Sequence, residues 1–324
     1  MEPLLEIKNL SVKYETGRTT AYALNGVNLS IGKGESVGLV GETGAGKTTT
    51  ALSILNLVPQ PAGKITGGEI YFEGKSVLHM KNHELMDIRG NKISMVFQNP
   101  LTSLNPVFTI GEQISMVLRK HKKMSKKDTL TEAGKLLEVV GIPKYRLCDY
   151  PHQFSGGMRQ RVGIASALAC NPALLIADEP TTALDVTIQA QILELIKELQ
   201  IKYESSLLMI THSLGIIAEI CHRVYVMYAG SIVEYGTVEE VFSHPFHPYT
   251  QGLFGSIPKL TGPRERLVNI PGNVANPEQL PEGCAFNPRC AFRKEGCDKK
   301  QPQMLKINDD HFVACHMSEG DGHG

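Results

Sequence analysis

The sequence predicts an α/β fold with a largely parallel central sheet, led at the N-terminus by an antiparallel β part. Short apolar segments that are typical of buried strands alternate with longer segments whose apolar residues recur at helical spacing. A glycine-rich loop lies between one such strand and the helix that follows it. We also predict a helical insertion and a small irregular C-terminal extension.

Residues 4–14 and 22–31 predict two antiparallel strands, because each alternates apolar and polar side chains and a Thr-Gly-Arg turn separates them. Each strand carries a tyrosine ahead of the glycine-rich loop, Tyr14 and Tyr22. A strand tyrosine usually packs within its sheet, whereas a ring beside a phosphate-binding loop can stack on the base of a bound nucleotide. We prefer Tyr14 for the stacking role, and packing within the sheet stays an alternative.

The glycine-rich loop is Gly41-Glu42-Thr43-Gly44-Ala45-Gly46-Lys47-Thr48, which fits the phosphate-loop pattern G-x-x-x-x-G-K-[ST]. Residues 36–40 predict the strand before it, and residues 47–57 predict the helix after it. The glycines allow successive N–H groups to face one centre, and the helix N-terminus adds partial positive charge. We expect Lys47 to contact the terminal phosphates and Thr48 to hold Mg²⁺. The residues expected to bind the nucleotide here are Gly41, Gly44, Gly46, Lys47, Thr48 and Thr49.

Two further strands precede the helical insertion. Residues 67–75 predict a short strand that ends in a turn, and residues 92–97 predict a strand that ends at Gln98. A loop with two prolines, residues 99–106, follows that strand.

Helical spacing dominates the chain from residue 110 to about 170, so we predict a helical subdomain over about residues 105–170. Gly141 follows one apolar helical repeat as a stop signal. Ser155-Gly156-Gly157 then opens a helix that runs to about Ala169.

Residues 173–180 predict a buried strand that ends in two acids, Asp178 and Glu179. Parallel sheets present their ligand crevice at the carboxyl ends of the strands, so Asp178 can orient Mg²⁺ through water. Glu179 would point toward an attacking water. Three more elements follow, namely a helix with apolar residues from 188 to 199, a strand over 206–210 ahead of His212, and a hairpin over 223–236 that turns at 229–231.

The pattern of the sequence changes beyond His244. A loop rich in histidine and proline there leads to a short helix that is predicted to end near Gly255. Residues 258–283 carry five prolines and little periodicity. We therefore predict a first domain over residues 1–255 and a C-terminal extension over residues 256–324.

Composition narrows the classes of function. The 324 residues include 33 lysines and arginines and 33 acids, so no global basic field favours nucleic acid, which we do not expect as a partner. No apolar run reaches the roughly 18 to 20 residues of a membrane-spanning helix. The first ten residues lack the features of a signal peptide. We expect a cytoplasmic protein that can dock on a membrane partner.

Six motifs in order resemble those of the nucleotide-binding subunits of ABC transporters, which are P-loop NTPases of ABC type. Besides the phosphate loop, these are Gln98 at the Q-loop, Ser155-Gly156-Gly157 within the LSGGQ signature, residues 174–179, residues 183–185 at the D-loop, and His212 at the H-loop. The signature departs from the family pattern at Phe154 and Met158, which flank the serine and glycines. We expect little loss of function from these two changes.

The resemblance implies a mechanism. Two such subunits pair head to tail, with ATP between the phosphate loop of one and Ser155, Gly156 and Gly157 of the other, whose hydroxyl and N–H groups suit an anion. Glu179 is the expected general base, His212 the γ-phosphate contact, and Gln98 the sensor of Mg²⁺ and water. The protein would act mainly by positioning and charge stabilisation.

Three segments, residues 99–106, 151–161 and 244–253, resemble ATPase subunits of dipeptide, oligopeptide and nickel importers. This implies an identical or different companion ATPase, two membrane-spanning permease subunits, a solute-binding protein outside the cell, and a peripheral place on the cytoplasmic face of the membrane. The loop after Gln98 would receive a permease helix. Nickel stays an alternative to peptides as the substrate. A soluble ABC-type ATPase is a further alternative, but the sequence of such a protein would be expected to carry a basic face or a second ATPase half.

Four of the seven cysteines, Cys284, Cys290, Cys297 and Cys315, crowd into the C-terminal extension with the spacing C-x5-C-x6-C-x17-C. Zinc sites usually contain closer pairs, whereas iron–sulfur clusters tolerate varied spacing. The resemblance to importer ATPases with cysteine-rich tails implies a [4Fe–4S] cluster. Zinc, and free or disulfide-bonded cysteines, are the alternatives, and His311 and His316 are further candidate ligands. A metal cross-link would stabilise a tail that has few apolar residues.

Overall fold

The computed structural model describes residues 2–99, 103–182, 184–256 and 270–317. The strands are β1 (Leu5–Thr16), β2 (Thr19–Ile31), β3 (Ser36–Val40), β4 (Gly63–Phe72), β5 (Lys75–Ser76), β6 (Ile93–Val96), β7 (Leu174–Asp178), β8 (Ser206–Thr211), β9 (Arg223–Tyr228), β10 (Ser231–Thr237), β11 (Leu305–Asn308) and β12 (His311–Val313). The α-helices are α1 (Lys47–Ile54), α2 (Asn82–Ile88), α3 (Ile110–Lys122), α4 (Lys126–Val139), α5 (Gly156–Leu168), α6 (Val186–Tyr203), α7 (Leu214–Ile220), α8 (Val238–Ser243) and α9 (Pro248–Gly255). Within these described ranges, no helix has the length and apolar character needed to span a membrane.

Contacts divide the chain into two compact units. The first, which we call the helical unit, comprises Ile31–Ser36 and His79–Ile210. The second, which we call the phosphate-loop unit, comprises Glu2–Ser30, Val37–Leu78 and the chain from Thr211 onward. The described tail, residues 270–317, therefore belongs to the same unit as the phosphate loop. The division into domains at residues 255 and 256 stays a prediction.

The helical unit contains three parallel strands in the order β6-β7-β8. The residues of β7 are all buried, as the apolar sequence predicts. Because the strands are parallel, their carboxyl ends meet at one edge, where Gln98 follows β6 and Glu179 follows β7. The structure thus confirms that each of these polar residues follows a strand, and it shows in addition that the two strands are neighbours.

The helical insertion begins with well-capped helices. The Thr109 hydroxyl accepts the Glu112 N–H, and the Glu112 carboxylate accepts the Thr109 N–H in return, which fixes the start of α3. At the start of α4 the Ser125 hydroxyl accepts the Asp128 N–H, without a reciprocal bond to the Ser125 N–H. The chain turns at Gly141, where φ is +75°, so the predicted stop signal is confirmed.

The phosphate-loop unit contains a four-stranded sheet in the order β2-β1-β4-β5, with β1 and β4 antiparallel. A second group of strands has the order β11-β12-β10-β9-β3. In that group β3 and β9 are parallel, and β9 and β10 form the expected hairpin through Ala229 and Gly230, both at positive φ. The antiparallel N-terminal part and the hairpin are therefore confirmed.

The tail contains two strands that the sequence did not predict. β12 pairs with β10, with Glu234 opposite Val313, and β11 pairs with β12. The strands contain four and three residues, which is too short for a period-two pattern to be recognised. They join the tail to the hairpin.

Candidate functional site

The phosphate loop curves around the ammonium group of Lys47. Lys47 Nζ donates to the Gly41 carbonyl at 2.7 Å and to the Glu42 carbonyl at 3.1 Å, and the residue is only 6% exposed. Thr43, Gly44 and Thr48, by contrast, are exposed. The outer face of the loop is therefore open to a ligand, with a buried cation behind it.

Two of the loop glycines are required by space as well as by backbone conformation. A Cβ on Gly41, at φ +157°, would lie 2.2 Å from the Met227 carbonyl oxygen. A Cβ on Gly46, at φ +107°, would lie 2.6 Å from the Ala23 carbonyl oxygen. No such crowding exists at Gly44, where only the positive φ of +82° favours glycine.

The two candidate tyrosines differ in their surroundings. The Tyr14 hydroxyl lies 3.5 Å from the Thr49 hydroxyl, at the first turn of α1, and the residue is half-buried. Tyr22 is 48% exposed, and its N–H donates to the Pro277 carbonyl of the tail. Tyr14 therefore contacts a residue of the nucleotide motif, although its stacking role stays a prediction.

The H-loop histidine lies beside the phosphate loop. A cleft of about 580 Å³ is lined by His212 on one side and by Gly41, Glu42 and Thr43 on the other. The cleft is also lined by Val40, Leu214 and, from the C-terminal region, Leu253, Ser256 and Ile270. The structure thus brings together His212 and the loop, which lie more than 160 residues apart in the sequence.

In the helical unit, Glu179 is held by two side chains. Gln98 Nε2 donates to Glu179 Oε2 at 2.7 Å, and the Thr182 hydroxyl donates to the same oxygen at 2.9 Å. Glu179 has φ +45°, a sparsely populated conformation for a residue with a side chain, and its N–H donates to the Ile210 carbonyl. The adjacent Asp178 is 2% exposed.

Thr182 was missed by sequence reasoning. It lies three residues after Glu179, in the turn that leads out of β7, where a threonine has no motif pattern of its own. The available signal was its position three residues after Glu179. In the structure this turn is closed by a hydrogen bond from the Thr182 N–H to the Glu179 carbonyl. Ala183, which the D-loop resemblance includes, lies outside the described residues.

The signature segment forms the start of α5. The Ser155 hydroxyl accepts the Met158 N–H at 3.3 Å, and Ser155 and Gly156 are exposed. A Cβ on Gly157 would lie 2.6 Å from Ile188 Cγ2, so this glycine permits the close packing of α5 against α6. Phe154, one of the departures from the family pattern, is 3% exposed with the Arg146 guanidinium 4.5 Å from its ring centre. Phe154 therefore serves packing, and the adjacent Ser155 and Gly156 stay exposed.

The four tail cysteines influence one another electrostatically. Burial, with smaller contributions from the neighbouring Cys315, Cys297 and Cys290 and against the effect of a backbone hydrogen bond at Phe286, raises the pKa of Cys284 to about 11. Burial likewise raises the pKa of Cys315, with contributions from Cys290 and Cys297. The Cys284 N–H also donates to the Cys297 carbonyl at 2.8 Å. The four thiols therefore belong to one neighbourhood of the tail.

The fit to a metal is partial. Among the described residues, no group of three or more His, Cys, Asp or Glu side chains is arranged to hold one metal ion. A single zinc ion requires all sulfurs within about 2.3 Å of one point. A four-iron cluster also takes four thiolates, which is the number present, but distributes them over several irons. The described side chains therefore do not form a single-ion site as they stand, and the cluster stays a prediction.

The two candidate histidines of the tail are engaged elsewhere. His311 Nε2 lies 2.7 Å from Glu234 Oε1, and both side chains are fully buried. His316 Nε2 lies 2.7 Å from the Lys300 carbonyl. These contacts favour the cysteines over the histidines as ligands.

One contact to the phosphate loop had no sequence signal. Arg289, from the tail, pairs with Glu42, the second residue of the loop, at 2.7 Å. The Glu42 N–H donates to the hydroxyl of Tyr249 at 2.9 Å. Hydrogen bonding to Glu42 raises the pKa of Arg289, so the guanidinium stays charged.

Known protein families match an N-terminal stretch and a C-terminal stretch of the chain. Residues 24–182 match the family described as ABC transporter. Residues 233–297 match the family described as the C-terminal region of oligopeptide/dipeptide transporters. Residues 150–218 also match an AAA domain family described as a putative AbiEii toxin of a type IV toxin–antitoxin system.

Several relatives match over nearly their whole length. The oligopeptide transport ATP-binding protein AppD of Bacillus subtilis is 49% identical over 99% of both chains. The oligopeptide transport ATP-binding protein OppD of Haemophilus influenzae is 49% identical over 98% of both. The dipeptide transport ATP-binding protein DppD of Bacillus subtilis is 48% identical over 98% of this chain and 96% of its own.

Solved structures resemble the larger part of the chain. A dimeric structure of the ATP-binding cassette MJ0796 in a post-hydrolysis state with ADP and Pi has a TM-score of 0.65 at 32% identity, covering 72% of this chain and 98% of its own. The structure of cbiO1 from Clostridium perfringens, part of the ABC transporter complex cbiONQ, has a TM-score of 0.63 at 27% identity, covering 75% of this chain and 92% of its own.

Proposed function

This chain belongs to the ABC transporter ATP-binding proteins, in their oligopeptide and dipeptide transport branch, and on that premise we propose that it binds and hydrolyses ATP to power peptide import. The observation that carries the proposal is the identity of 49% with an oligopeptide transport ATP-binding protein over 99% of both chains. That match includes the C-terminal region, which phosphate-loop motifs alone do not specify.

The phosphate loop and His212 supply the nucleotide contacts in this proposal. Lys47 exchanges its bonds to the Gly41 and Glu42 carbonyls for the terminal phosphates. Exposed loop N–H groups and the start of α1 add donors and partial positive charge. His212 faces the same cleft as Thr43 and contacts the γ-phosphate. Tyr14 stacks on the base.

Residues of the helical unit prepare the attacking water. Gln98 and Thr182 both bind Oε2 of Glu179 and so orient the carboxylate that is proposed to accept the proton of the water. Mg²⁺, when bound, neutralises phosphate charge, and Thr48, Gln98 and Asp178 are the residues that would hold it, the last through water. The role of Glu179 as general base rests on these contacts and on the motif.

A second ATPase chain, identical or related, completes the site. The exposed Ser155 and Gly156 at the start of α5 suit the γ-phosphate of an ATP bound to a partner. Dimeric structures exist for the cassette MJ0796, which this chain resembles. We place the two chains head to tail, so that each phosphate loop faces the other chain's Ser155.

Two permease subunits anchor this chain at the cytoplasmic face of the membrane in the proposed assembly, and a solute-binding protein outside the cell delivers peptides. The loop over residues 99–106 is the proposed docking segment, although residues 100–102 lie outside the described residues. Val107 next to it is 74% exposed and Phe108 is 38% exposed, which suits an apolar contact. Nickel stays the alternative substrate, because another subunit selects the solute.

We also propose that Cys284, Cys290, Cys297 and Cys315 hold a [4Fe–4S] cluster. The hydrogen bond from the Cys284 N–H to the Cys297 carbonyl and the mutual electrostatic influence of the thiols support one shared site, and their number matches the ligand requirement. Zinc remains the alternative. The cluster would cross-link tail segments that have few apolar residues.

The function is tested by gene deletion and complementation. Uptake of labelled dipeptides and oligopeptides should fall in cells that lack this chain and return with the wild-type gene, but not with Lys47→Ala. Nickel uptake should be unchanged. Normal peptide uptake with lost nickel uptake would instead establish the alternative substrate.

A further inference from the structure

We propose that Arg289 and Tyr249, both from the C-terminal region, are positioning residues for ATP that act through Glu42 of the phosphate loop. The proposal rests on the phosphate loop being the nucleotide site. It assigns to the tail a role in ATP affinity, separate from any metal that the tail cysteines hold.

Arg289 makes a two-pronged contact with Glu42. Nη1 lies 2.7 Å from Glu42 Oε2, and Nη2 lies 3.2 Å from Oε1. This geometry is stronger and more directional than a single ion pair. The Arg289 side chain is 5% exposed and that of Glu42 is 28% exposed, so water screens the pair only partly.

The guanidinium itself is held in place. Arg289 Nε donates to the Pro271 carbonyl at 2.9 Å. The guanidinium carbon, Cζ, lies 5.8 Å from the ring centres of Tyr228 and Phe286. The short helical turn Asn287–Arg289 is fixed in turn, because Asn287 Nδ2 donates to the carbonyls of Glu282 and Cys284. Arg289 therefore presents a rigid fork to the loop.

Tyr249 is equally fixed. Its side chain is fully buried, with its ring centre 4.7 Å from that of Tyr228 and 5.4 Å from that of Phe286. Its N–H donates to Nδ1 of His247, which starts α9. The same aromatic cluster of Tyr228, Tyr249 and Phe286 thus supports both contacts to Glu42.

Glu42 is bound through each of its polar groups. The N–H donates to Tyr249, the carboxylate accepts from Arg289, and the carbonyl accepts from Lys47. Lys47 is the proposed phosphate ligand. Its position therefore depends on a residue that contacts Tyr249 and Arg289 of the C-terminal region and whose carbonyl also accepts the Ala45 N–H within the loop.

The negative charge of Glu42 is the reason why its contact with Arg289 can affect ATP affinity. A carboxylate in a loop that binds polyphosphate repels its ligand, and at a separation of about 10 Å a poorly screened like charge changes affinity on the order of tenfold. Arg289 cancels the charge of Glu42 while it orients the loop. Removal of Arg289 leaves that carboxylate beside the phosphates without its guanidinium.

The experiment is a double-mutant cycle with the full-length chain. MgATP affinity is measured by calorimetry, and KM and kcat are measured for ATP hydrolysis, for wild type, Arg289→Gln, Glu42→Gln and the double variant. We expect Arg289→Gln to raise Kd and KM about tenfold, with kcat changed less than threefold. In the Glu42→Gln background the same change should raise Kd and KM clearly less, because the contact through which Arg289 positions the loop is already absent and only the loss of its positive charge remains.

Three further variants sharpen the cycle. Arg289→Lys keeps the charge but loses the fork, so it should raise KM less than Arg289→Gln. Tyr249→Phe should raise KM a few-fold through the lost N–H acceptor. Arg293→Gln breaks an exposed ion pair with Asp298 in the same tail and is the matched control, with KM unchanged.

The outcomes distinguish a failure of the positioning role of Arg289 from a failure of the proposed nucleotide site. If Arg289→Gln raises KM equally with Glu42 and with Gln at position 42, or leaves it unchanged in a folded protein, the positioning role is wrong. If Lys47→Ala keeps full ATP binding, the nucleotide site itself is wrong. Thermal melts of each variant identify loss of folding, and Arg289→Lys then supplies the folded comparison.

Discussion

Gln98 and Glu179 lie 81 residues apart in the sequence, yet the amide of Gln98 donates a 2.7 Å hydrogen bond to the carboxylate of Glu179. The end of β6 supplies one residue and the end of β7 the other, and the two strands are parallel neighbours. The residue proposed to sense Mg²⁺ and water is thus bonded to the residue proposed to activate that water. Gln98, in the segment after β6, is thus one of the side chains that orient the Glu179 carboxylate.

Glu179→Gln should abolish ATP turnover while MgATP binding stays within about twofold of wild type. The amide keeps the size of the side chain but cannot take a proton from water. Turnover is measured by phosphate release and binding by calorimetry. Substantial residual hydrolysis would reject the general-base assignment.

Thr182→Val should lower kcat roughly threefold to tenfold with little change in Kd for ATP. The substitution removes the hydroxyl that donates to Glu179 Oε2, and one lost hydrogen bond corresponds to about 0.5–1.5 kcal/mol. Thr131→Val, which removes an exposed hydroxyl bonded within α4, is the control. Equal kcat values for the two variants would show that the Thr182 contact is not used in catalysis.

Gly157→Ala should destabilise the chain by about 1–3 kcal/mol, because the new methyl group would approach Ile188 to 2.6 Å. The cost should shrink in an Ile188→Ala background, where the crowding atom is gone. Gly163→Ala in the same helix meets nothing within 4 Å and should stabilise by about 0.5–1 kcal/mol. Chemical denaturation measures all of these differences, and an unaffected Gly157→Ala variant contradicts the packing role.

His247 should make the free energy of unfolding depend on pH below neutrality. Complete burial lowers its pKa to about 4, against the opposing effect of Glu234, from a reference value of 6.5. Between these two values the unfolded chain binds the proton and the folded chain does not, so stability falls as the pH drops from about 6.5 toward 4. At pH 5 the loss from this residue is about 2 kcal/mol relative to neutral pH.

The contribution of His247 is isolated by comparison with His247→Asn, whose side-chain oxygen can still accept the Tyr249 N–H. Unfolding free energies of both proteins are measured from pH 7 to pH 4.5. The wild type should lose more stability than the variant over this interval. Parallel curves would show that His247 does not titrate with a lowered pKa.

Anaerobic purification should give a brown protein with broad absorbance near 400 nm, about where thiolate-to-iron charge transfer falls. Cys290→Ser should remove most of that absorbance, whereas Cys148→Ser, an exposed cysteine outside the tail, should leave it unchanged. A colourless protein with one zinc per chain would establish the alternative ligand. Iron and zinc are quantified by elemental analysis.

Much of the fold was predictable because its signals are local. The strand before the phosphate loop is a run of apolar residues, and all five of its residues are buried. The hairpin turn at Ala229 and Gly230 was marked by composition, and both residues have positive φ. Strands β11 and β12 were not predicted, because partners outside the segment stabilise such short strands.

The phosphate loop, the order of the nucleotide motifs and the relation to importer ATPases can all be recognised in the sequence, because each depends on residue type at fixed local spacing. The pairing of Glu42 with Arg289, 247 residues away, becomes visible in the folded chain alone. Neither residue is conspicuous alone, since a solvated acid in a loop and an arginine in a tail are common. Their pairing depends on how β12 and the aromatic cluster seat the tail, and long-range contacts of this kind leave no periodic pattern in the sequence.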